Sequence, residues 1–395
     1  MKALFATSGW LTHYYMIAPL AWAFRSCGHD VRVAGPAMVE PFVVGSGLPF
    51  VAAGPDVDFM AIRRRALEHE SGFDGPETEE DLSDLIEREG THEILSAWQD
   101  ATFAGTEAVV SFARSWHPDI VVADTMSVGG LVAAGSLGVP AVRHLLATDI
   151  LGSVEGEGML KILPGFADHF RDYGAEFEVD PADRTIDPCP PSMQPPPLPS
   201  RMQMRYVPYN GTGVLPSWLL EPARRPRVCV TWGTSALWSA GRAGFQVPEV
   251  LHALEGTGAE VVLALGPGQR EHLGTVPDNV RVVESLPLHL VMPGCDLLVS
   301  QGGSATMLTA SYYGVPQLTV PYLPEQVNEG EAHAATGAGL CLPAARADRR
   351  TLGEYLERLL TDRSFTDGAE RLRAEIHAQP DPISTVRSLE ELAGG

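Results

Sequence analysis

The residues best suited to chemistry sit in short polar turns that follow apolar runs. The strongest such turn is Gln301-Gly302-Gly303-Ser304-Ala305-Thr306, directly after Leu297–Ser300. Its two glycines let a ligand come close to the backbone. A helix expected over residues 305–313 offers free N–H groups and the positive end of its dipole, so the turn predicts an anion site suited to a diphosphate. Ser304 and Thr306 add hydroxyl donors, and the absence of a following lysine separates the turn from a P-loop. Taken alone, the same small residues would equally serve tight strand-to-helix packing. A second turn, Thr231-Trp232-Gly233-Thr234-Ser235, places Gly233, Thr234 and Ser235 where they could bond a phosphate or simply cap a helix. Glu325 and Gln326 offer acceptors and donors side by side, which suits vicinal hydroxyls, although an isolated dipeptide is by default a solvated loop. His13, expected in the turn after the first strand, could take a proton from a hydroxyl as a neutral imidazole. Asp124, at the end of another strand, could fix its tautomer and stabilise the imidazolium. The pair Asp56 and Asp58 has the spacing of a metal-holding motif. It follows Gly54-Pro55 outside any phosphate-loop context, so a solvated loop and no metal are expected.

These residues need a scaffold with several polar strand ends along one edge. A strand over residues 2–7, a polar turn over 8–13, a helix to about Cys27 closed by Gly28 and a strand over 30–34 make a βαβ start, hence a parallel sheet. One pattern occurs twice. A buried run ending in Asp124 leads through a helical stretch to Gly138-Val139-Pro140, and a run ending at Ser300-Gln301 leads the same way to Gly314-Val315-Pro316. In a parallel sheet the polar residue then lies at the carboxyl edge, where open α/β sheets bind ligands. Such turns are common in α/β proteins, which explains either unit alone but less readily their matched spacing. The expected fold class is therefore α/β, with two Rossmann-like domains facing each other across a cleft. Seven prolines in 187–201 predict a semi-extended segment. A second Pro/Gly-rich stretch over 208–226 precedes a strand over 227–231. The expected domains are 1–215 and 216–378, with 379–395 as a C-terminal segment. Residues 66–100 read as acidic and polar, helical around 81–89 and 93–103.

Composition removes several function classes. The 395 residues are 45% hydrophobic and carry 50 acidic against 28 basic side chains, a net charge of -22. Such a surface repels phosphate backbones, so nucleic acid is not an expected partner. A nucleotide would be gripped by backbone amides instead. The five cysteines are scattered with no Cys-x-x-Cys pair, which points to neither zinc nor a disulfide framework and fits a reducing compartment. The apolar beginning is broken by Thr7, Ser8, Thr12 and His13 without a cleavage site, and no 18-residue apolar run exists, so neither a leader nor a membrane span is expected. The expected compartment is the cytoplasm, with no resident cofactor.

The stretch from Leu286 to Leu342 resembles the donor-binding motif of inverting GT-B glycosyltransferases that decorate macrolides, aromatic polyketides and other natural products. The resemblance rests on Leu286-Pro287-Leu288, Cys295-Asp296, the turn 301–306, Gly314-Val315-Pro316-Gln317, Glu325-Gln326 and Gly337-Ala338-Gly339-Leu340. Thr12-His13-Tyr14-Tyr15, Pro19-Leu20-Ala21-Trp22 and Arg205-Tyr206-Val207-Pro208-Tyr209-Asn210-Gly211 extend it nearly end to end. The resemblance implies His13 as general base and Asp124 as its partner. It implies the nucleobase on the backbone of Leu286 to Leu288, the diphosphate on Gly302, Gly303, Ser304, Ala305, Thr306 and Thr234, and the sugar on Glu325 and Gln326. It implies a C-terminal helix, near residues 385–392, crossing back onto the N-terminal domain. The implied co-substrates are a nucleotide sugar, usually a thymidine diphosphate deoxyhexose, and a small hydrophobic aglycone. A homodimer and an auxiliary activator protein stand as further candidate partners.

This sequence departs from the family pattern in three places. Gln301 replaces the phosphate histidine and gives one hydrogen bond without charge. Ala305 replaces a glycine, and Glu325 replaces an aspartate. Two readings stay open beside the transferase: a catalytically weak or non-catalytic relative acting as a partner protein, and a nucleotide-sugar epimerase, for which no second acid/base pair is evident. Trp10, Tyr14, Tyr15, Phe59 and Met60 are candidates for an apolar acceptor pocket, with core packing as the competing role of each.

Overall fold

The computed structural model describes residues 1–59, 61–62, 64, 91–149, 165–177, 180–195, 199–233, 237 and 241–394. Met60, Thr234, Ser235 and the helical stretch expected over 81–89 lie outside them. The chain divides into two compact units, one of Met1–Cys189, Pro195–Arg205 and Gln379–Gly395, the other of Pro190–Gln194 and Tyr206–Ala378. The second unit begins before residue 215 because Tyr206 and Asn210 are already bonded to Thr309 inside it.

The first unit is built on a wholly parallel seven-stranded sheet in the order β3-β2-β1-β4-β5-β6-β7. Its strands are β1 Lys2–Ala6, β2 Asp30–Gly35, β3 Phe50–Ala52, β4 Ile120–Asp124, β5 Ala141–His144, β6 Arg184–Asp187 and β7 Arg201–Gln203. All five residues of β4 are buried, as expected of a strand covered on both faces. The strand order reverses between β1 and β4, so a crevice-forming switch point falls where β1 and β4 end. The helix Val128–Leu137 lies close against this edge. A Cβ on Gly130 would meet Ala6 Cβ at 2.6 Å and Ala123 Cβ at 2.9 Å, so only glycine permits that approach. The helix Pro382–Gly394 packs on Leu11–Ser26 within this unit, where His29 Nε2 meets Glu390 Oε1 at 2.7 Å.

The second unit repeats the design in a parallel six-stranded sheet ordered β10-β9-β8-β11-β12-β13. The strands are β8 Arg227–Thr231, β9 Glu260–Leu265, β10 Val280–Glu284, β11 Leu297–Ser300, β12 Gln317–Thr319 and β13 Gly339–Cys341. Its switch point lies between β8 and β11. A large apolar cluster from Val228 to Phe365 fills one side of the sheet, and a smaller one around Cys229, Leu298 and Ala310 fills the other.

Three local expectations are corrected. The first helix begins at Leu11, so His13 stands in its first turn rather than in the preceding loop. Glu325 and Gln326 are not in a loop either, because Pro324 starts a helix, Pro324–Ala335, and a proline suits that first position. The proline-rich segment is not uniformly extended, since Pro191–Met193 forms a short 3₁₀ turn with Pro191 at its start.

Candidate active site

In the first unit the site grows from the carboxyl ends of β1 and β4. Asp124 closes β4 and is buried. Its Oδ2 accepts from Thr7 Oγ1 at 2.9 Å and from the Ser8 amide at 2.7 Å, while Oδ1 accepts from the Met126 amide at 2.8 Å. Nδ1 of His13 lies 3.4 Å from Oδ1, a loose ion-pair distance rather than a formed hydrogen bond, and it has no other partner among the described residues. Burial pushes the Asp124 carboxyl up. The His13 charge and the backbone amides of Ser8 and Met126 outweigh it and hold the group below its ordinary value. The carboxylate is thus kept ionised beside the imidazole, where it can orient the ring.

The His13 ring retains only 6% side-chain exposure. Trp10 stacks on it at 5.7 Å between ring centres, Phe59 lies beside Trp10 at 6.0 Å, and Trp98 beside Phe59 at 5.8 Å. Phe59 also lines a cleft shared with Thr7, Ser8, Thr102 and Met126. Trp10 therefore stands next to His13, with Phe59, itself buried, on the far side of Trp10. Tyr14 does not. It is fully buried and its hydroxyl is bonded to Ser46 Oγ, because one residue along a helix turns the side chain about 100° away from His13. Asp56 and Asp58 accept from the amides of Met38 and Ala61 and act as turn caps.

In the second unit the carboxyl ends of β8 and β11 carry the glycine turns. Gly302 has a φ of 86°, which only glycine adopts readily, and the helix Ser304–Tyr312 starts directly after Gly303 with no side-chain cap. The amides of Ser304, Ala305 and Thr306 find no acceptor among the described residues. Residues 303–306 are all partly exposed. The result is a set of converging N–H donors open to an anion. Gln301 is buried with its Oε1 unpartnered among the described residues and its amide nitrogen against Gly233, where a Cβ would stand 2.4 Å away. Gln326 packs over Gly302 and also has an unpartnered Oε1, while Glu325 is half-buried in the same helical turn. Leu286 and Leu288 flank Pro287 after Ser285, whose φ of 55° turns the chain sharply at the end of β10.

Several residues of these edges were not singled out beforehand. Asn210 clasps the turn at His289 to the helix Ser304–Tyr312: its Oδ1 accepts from the His289 amide at 3.0 Å and its Nδ2 donates to Thr309 Oγ1 at 3.2 Å. Gln269 holds the Gly233 turn through the Gly233 carbonyl at 2.6 Å. His144 ends β5 opposite Asp124 in the sheet register, with Nε2 unpartnered and its pKa lowered by burial to about 4. Glu329 receives a hydrogen bond from Ser304 at 2.7 Å. Only the motif around Asn210 carried a signal in the sequence.

Residues 22–233 match the model of the erythromycin biosynthesis protein CIII-like N-terminal domain, and residues 248–392 match that of its C-terminal domain. The chain belongs to the erythromycin biosynthesis protein CIII-like family. It is 34% identical to the 10-deoxymethynolide desosaminyltransferase of Streptomyces venezuelae, over 100% of this chain and 97% of that protein. It is 33% identical to the aklavinone 7-beta-L-rhodosaminyltransferase of Streptomyces galilaeus, over 99% and 96%. Among solved structures, the glycosyltransferase VinC in complex with dTDP superposes with a TM-score of 0.83 at 29% identity, covering all of both chains. The spinosyn rhamnosyltransferase SpnG complexed with thymidine diphosphate superposes at 0.81 and 29%, covering 99% of this chain and 100% of the other. This CIII-like protein is a glycosyltransferase of the two-domain GT-B fold. Asp124, Gly233 and the turn after Ser300 lie within the residues that the family models match, while Lys2–Ala6 and His13 precede them and are covered by the structural superposition.

Proposed function

We propose that this glycosyltransferase moves a deoxysugar from thymidine diphosphate to a hydroxyl of a polyketide aglycone, inverting the anomeric carbon without a metal or a resident cofactor. The relatives named above transfer such sugars to such aglycones, and two of the similar structures hold the thymidine nucleotide. The observation that carries the reading is the dyad: a buried carboxylate with four contacts, one of them the imidazole of His13 at 3.4 Å. In this role His13 takes the proton of the attacking hydroxyl through Nε2 while Asp124 holds the Nδ1 side and steadies the resulting charge. The unpaired amides of Ser304, Ala305 and Thr306, with the dipole of their helix, take up the charge that develops on the leaving diphosphate. Leu286 and Leu288 would hold the nucleobase, and Glu325 and Gln326 the sugar hydroxyls. A disabled relative has no use for a preserved base and its orienting acid, which disfavours the non-catalytic reading.

The test pairs His13→Ala with Asp124→Asn, using a confirmed acceptor. Turnover is expected to fall roughly 10²–10⁴-fold in each, with thymidine diphosphate affinity measured by calorimetry within about twofold of the parent. Parental turnover in His13→Ala would remove the assignment of the base. Loss of nucleotide affinity in step with turnover would show instead that the substitution had damaged the fold.

A further inference from the structure

Within the second unit, the helix Pro324–Ala335 brings a carboxyl group up behind the diphosphate turn. Glu329 is 5% exposed, and Ser304 Oγ donates to its Oε2 at 2.7 Å. Ser304 is the first residue of the helix whose free amides form the anion site. The neighbouring Gln301 and Gln326 oxygens are buried without partners among the described residues, a deficit that a polar ligand at this turn would relieve. A carboxylate in this place opposes a diphosphate, and among the described residues no cation is paired with it. On its own helix, Glu325 stands one turn before it and His333 one turn after. His333 is bonded to Gln317 and kept neutral by burial. The helix Ser304–Tyr312 carries no charged side chain, nor does the 3₁₀ turn Pro191–Met193. From the sheet side comes Cys341, whose thiol burial pushes up.

We propose that the protonation state of Glu329 controls donor binding by deciding which way the Ser304 hydroxyl points. The proposal rests on the diphosphate lying at this turn. As a carboxylic acid, Glu329 donates its own proton to Ser304 Oγ, and the serine proton is then free to point at a phosphate oxygen. As a carboxylate, Glu329 captures the serine proton, and Ser304 turns lone pairs toward the phosphate while a full negative charge stands behind them. Burial raises the Glu329 pKa to about 7, with the Ser304 hydrogen bond pulling it partly back, so the change falls inside the working range of pH.

Calorimetric titration with thymidine diphosphate glucose tests this, because the phosphates of a sugar diphosphate do not titrate between about pH 6 and pH 8.5. The parent protein is expected to lose affinity about tenfold across that range. Glu329→Gln, which keeps a donor toward Ser304, is expected to bind at high pH as tightly as the parent does at low pH, with less than twofold variation. Ser304→Ala is expected to bind more weakly at low pH and to narrow the difference. A parent protein that binds with no pH dependence, or a Glu329→Gln variant that keeps the full dependence, overturns the proposal. Failure of every protein to bind at any pH removes the diphosphate assignment of the turn, and this inference with it.

Discussion

Gln301 stands where the donor motif that the sequence resembles has a histidine, and its environment says what that residue can do here. The side chain is buried against Gly233 and Gly303 with its oxygen unpartnered, so the amide can offer a single neutral hydrogen bond to the turn. Charge-assisted hydrogen bonds are about twice as strong as neutral ones. Gln301→His is therefore expected to raise kcat by roughly 10-fold while changing nucleotide affinity less. Steady-state kinetics of the two proteins side by side decide it, and an unchanged or lower kcat would show that the helix amides alone suffice. The same scale accounts for Tyr14. An aromatic residue next to His13 looks like an acceptor contact until the helix phase sends it inward to Ser46.

At the scale of elements, the two strand ends at the switch point of the second unit, Thr231 and Ser300, are each followed two residues later by a glycine. Gly302 shows why a larger residue is excluded. Its φ of 86° strains any side chain, although the nearest atom to a Cβ there, the Gln326 carbonyl oxygen at 3.5 Å, would be only in ordinary contact. Gly302→Ala is expected to lower stability by about 1–2 kcal/mol and to weaken thymidine diphosphate binding at least 10-fold. Denaturant melts and calorimetry on the same preparation check both, and unaltered binding would place the diphosphate elsewhere. The strands Arg227–Thr231 and Leu297–Ser300 were legible in the sequence because near-continuous apolar runs ending in polar residues have few other uses in a parallel sheet. The start of the first helix was not. Trp10 occupies its N-cap without a capping hydrogen bond, so the usual Ser/Thr/Asp signal is missing.

For the whole molecule, buried titratable groups set the response to acid. His144 in the first unit and His333 in the second are both buried, which lowers each to about 4. Between that value and the ordinary 6.5 the unfolded chain binds a proton that the folded one does not. Stability is therefore lost as the pH falls through this window, by on the order of 3 kcal/mol for each histidine. Glu329 has the opposite sign: burial raises it to about 7, so it keeps a proton when folded that the unfolded chain releases, and its contribution is lost as pH rises from 4.5 to 7. The two effects offset each other in the second unit and not in the first. The melting temperature is expected to fall between pH 6.5 and 4.5, less in His144→Leu and more in Glu329→Gln. A slope identical in all three proteins would refute the assignment of the sensitive groups.

From the amino-acid order alone came the α/β class, the two matched strand-to-helix turns, the His13 and Asp124 candidates and the family resemblance. These are written in local runs of apolar residues and in glycines at fixed offsets, which physics reads over a few residues. The closeness of His13 to Asp124, the burial of Tyr14, the Asn210 clasp and the meeting of Glu329 with Ser304 were decided by tertiary structure. Each joins side chains distant in sequence or chooses a face of a helix, and only packing makes that choice. Glu329 is the plainest instance: on paper it is one more polar residue of an acidic helix, and its proton acquires meaning only because the fold withdraws it from water beside a serine.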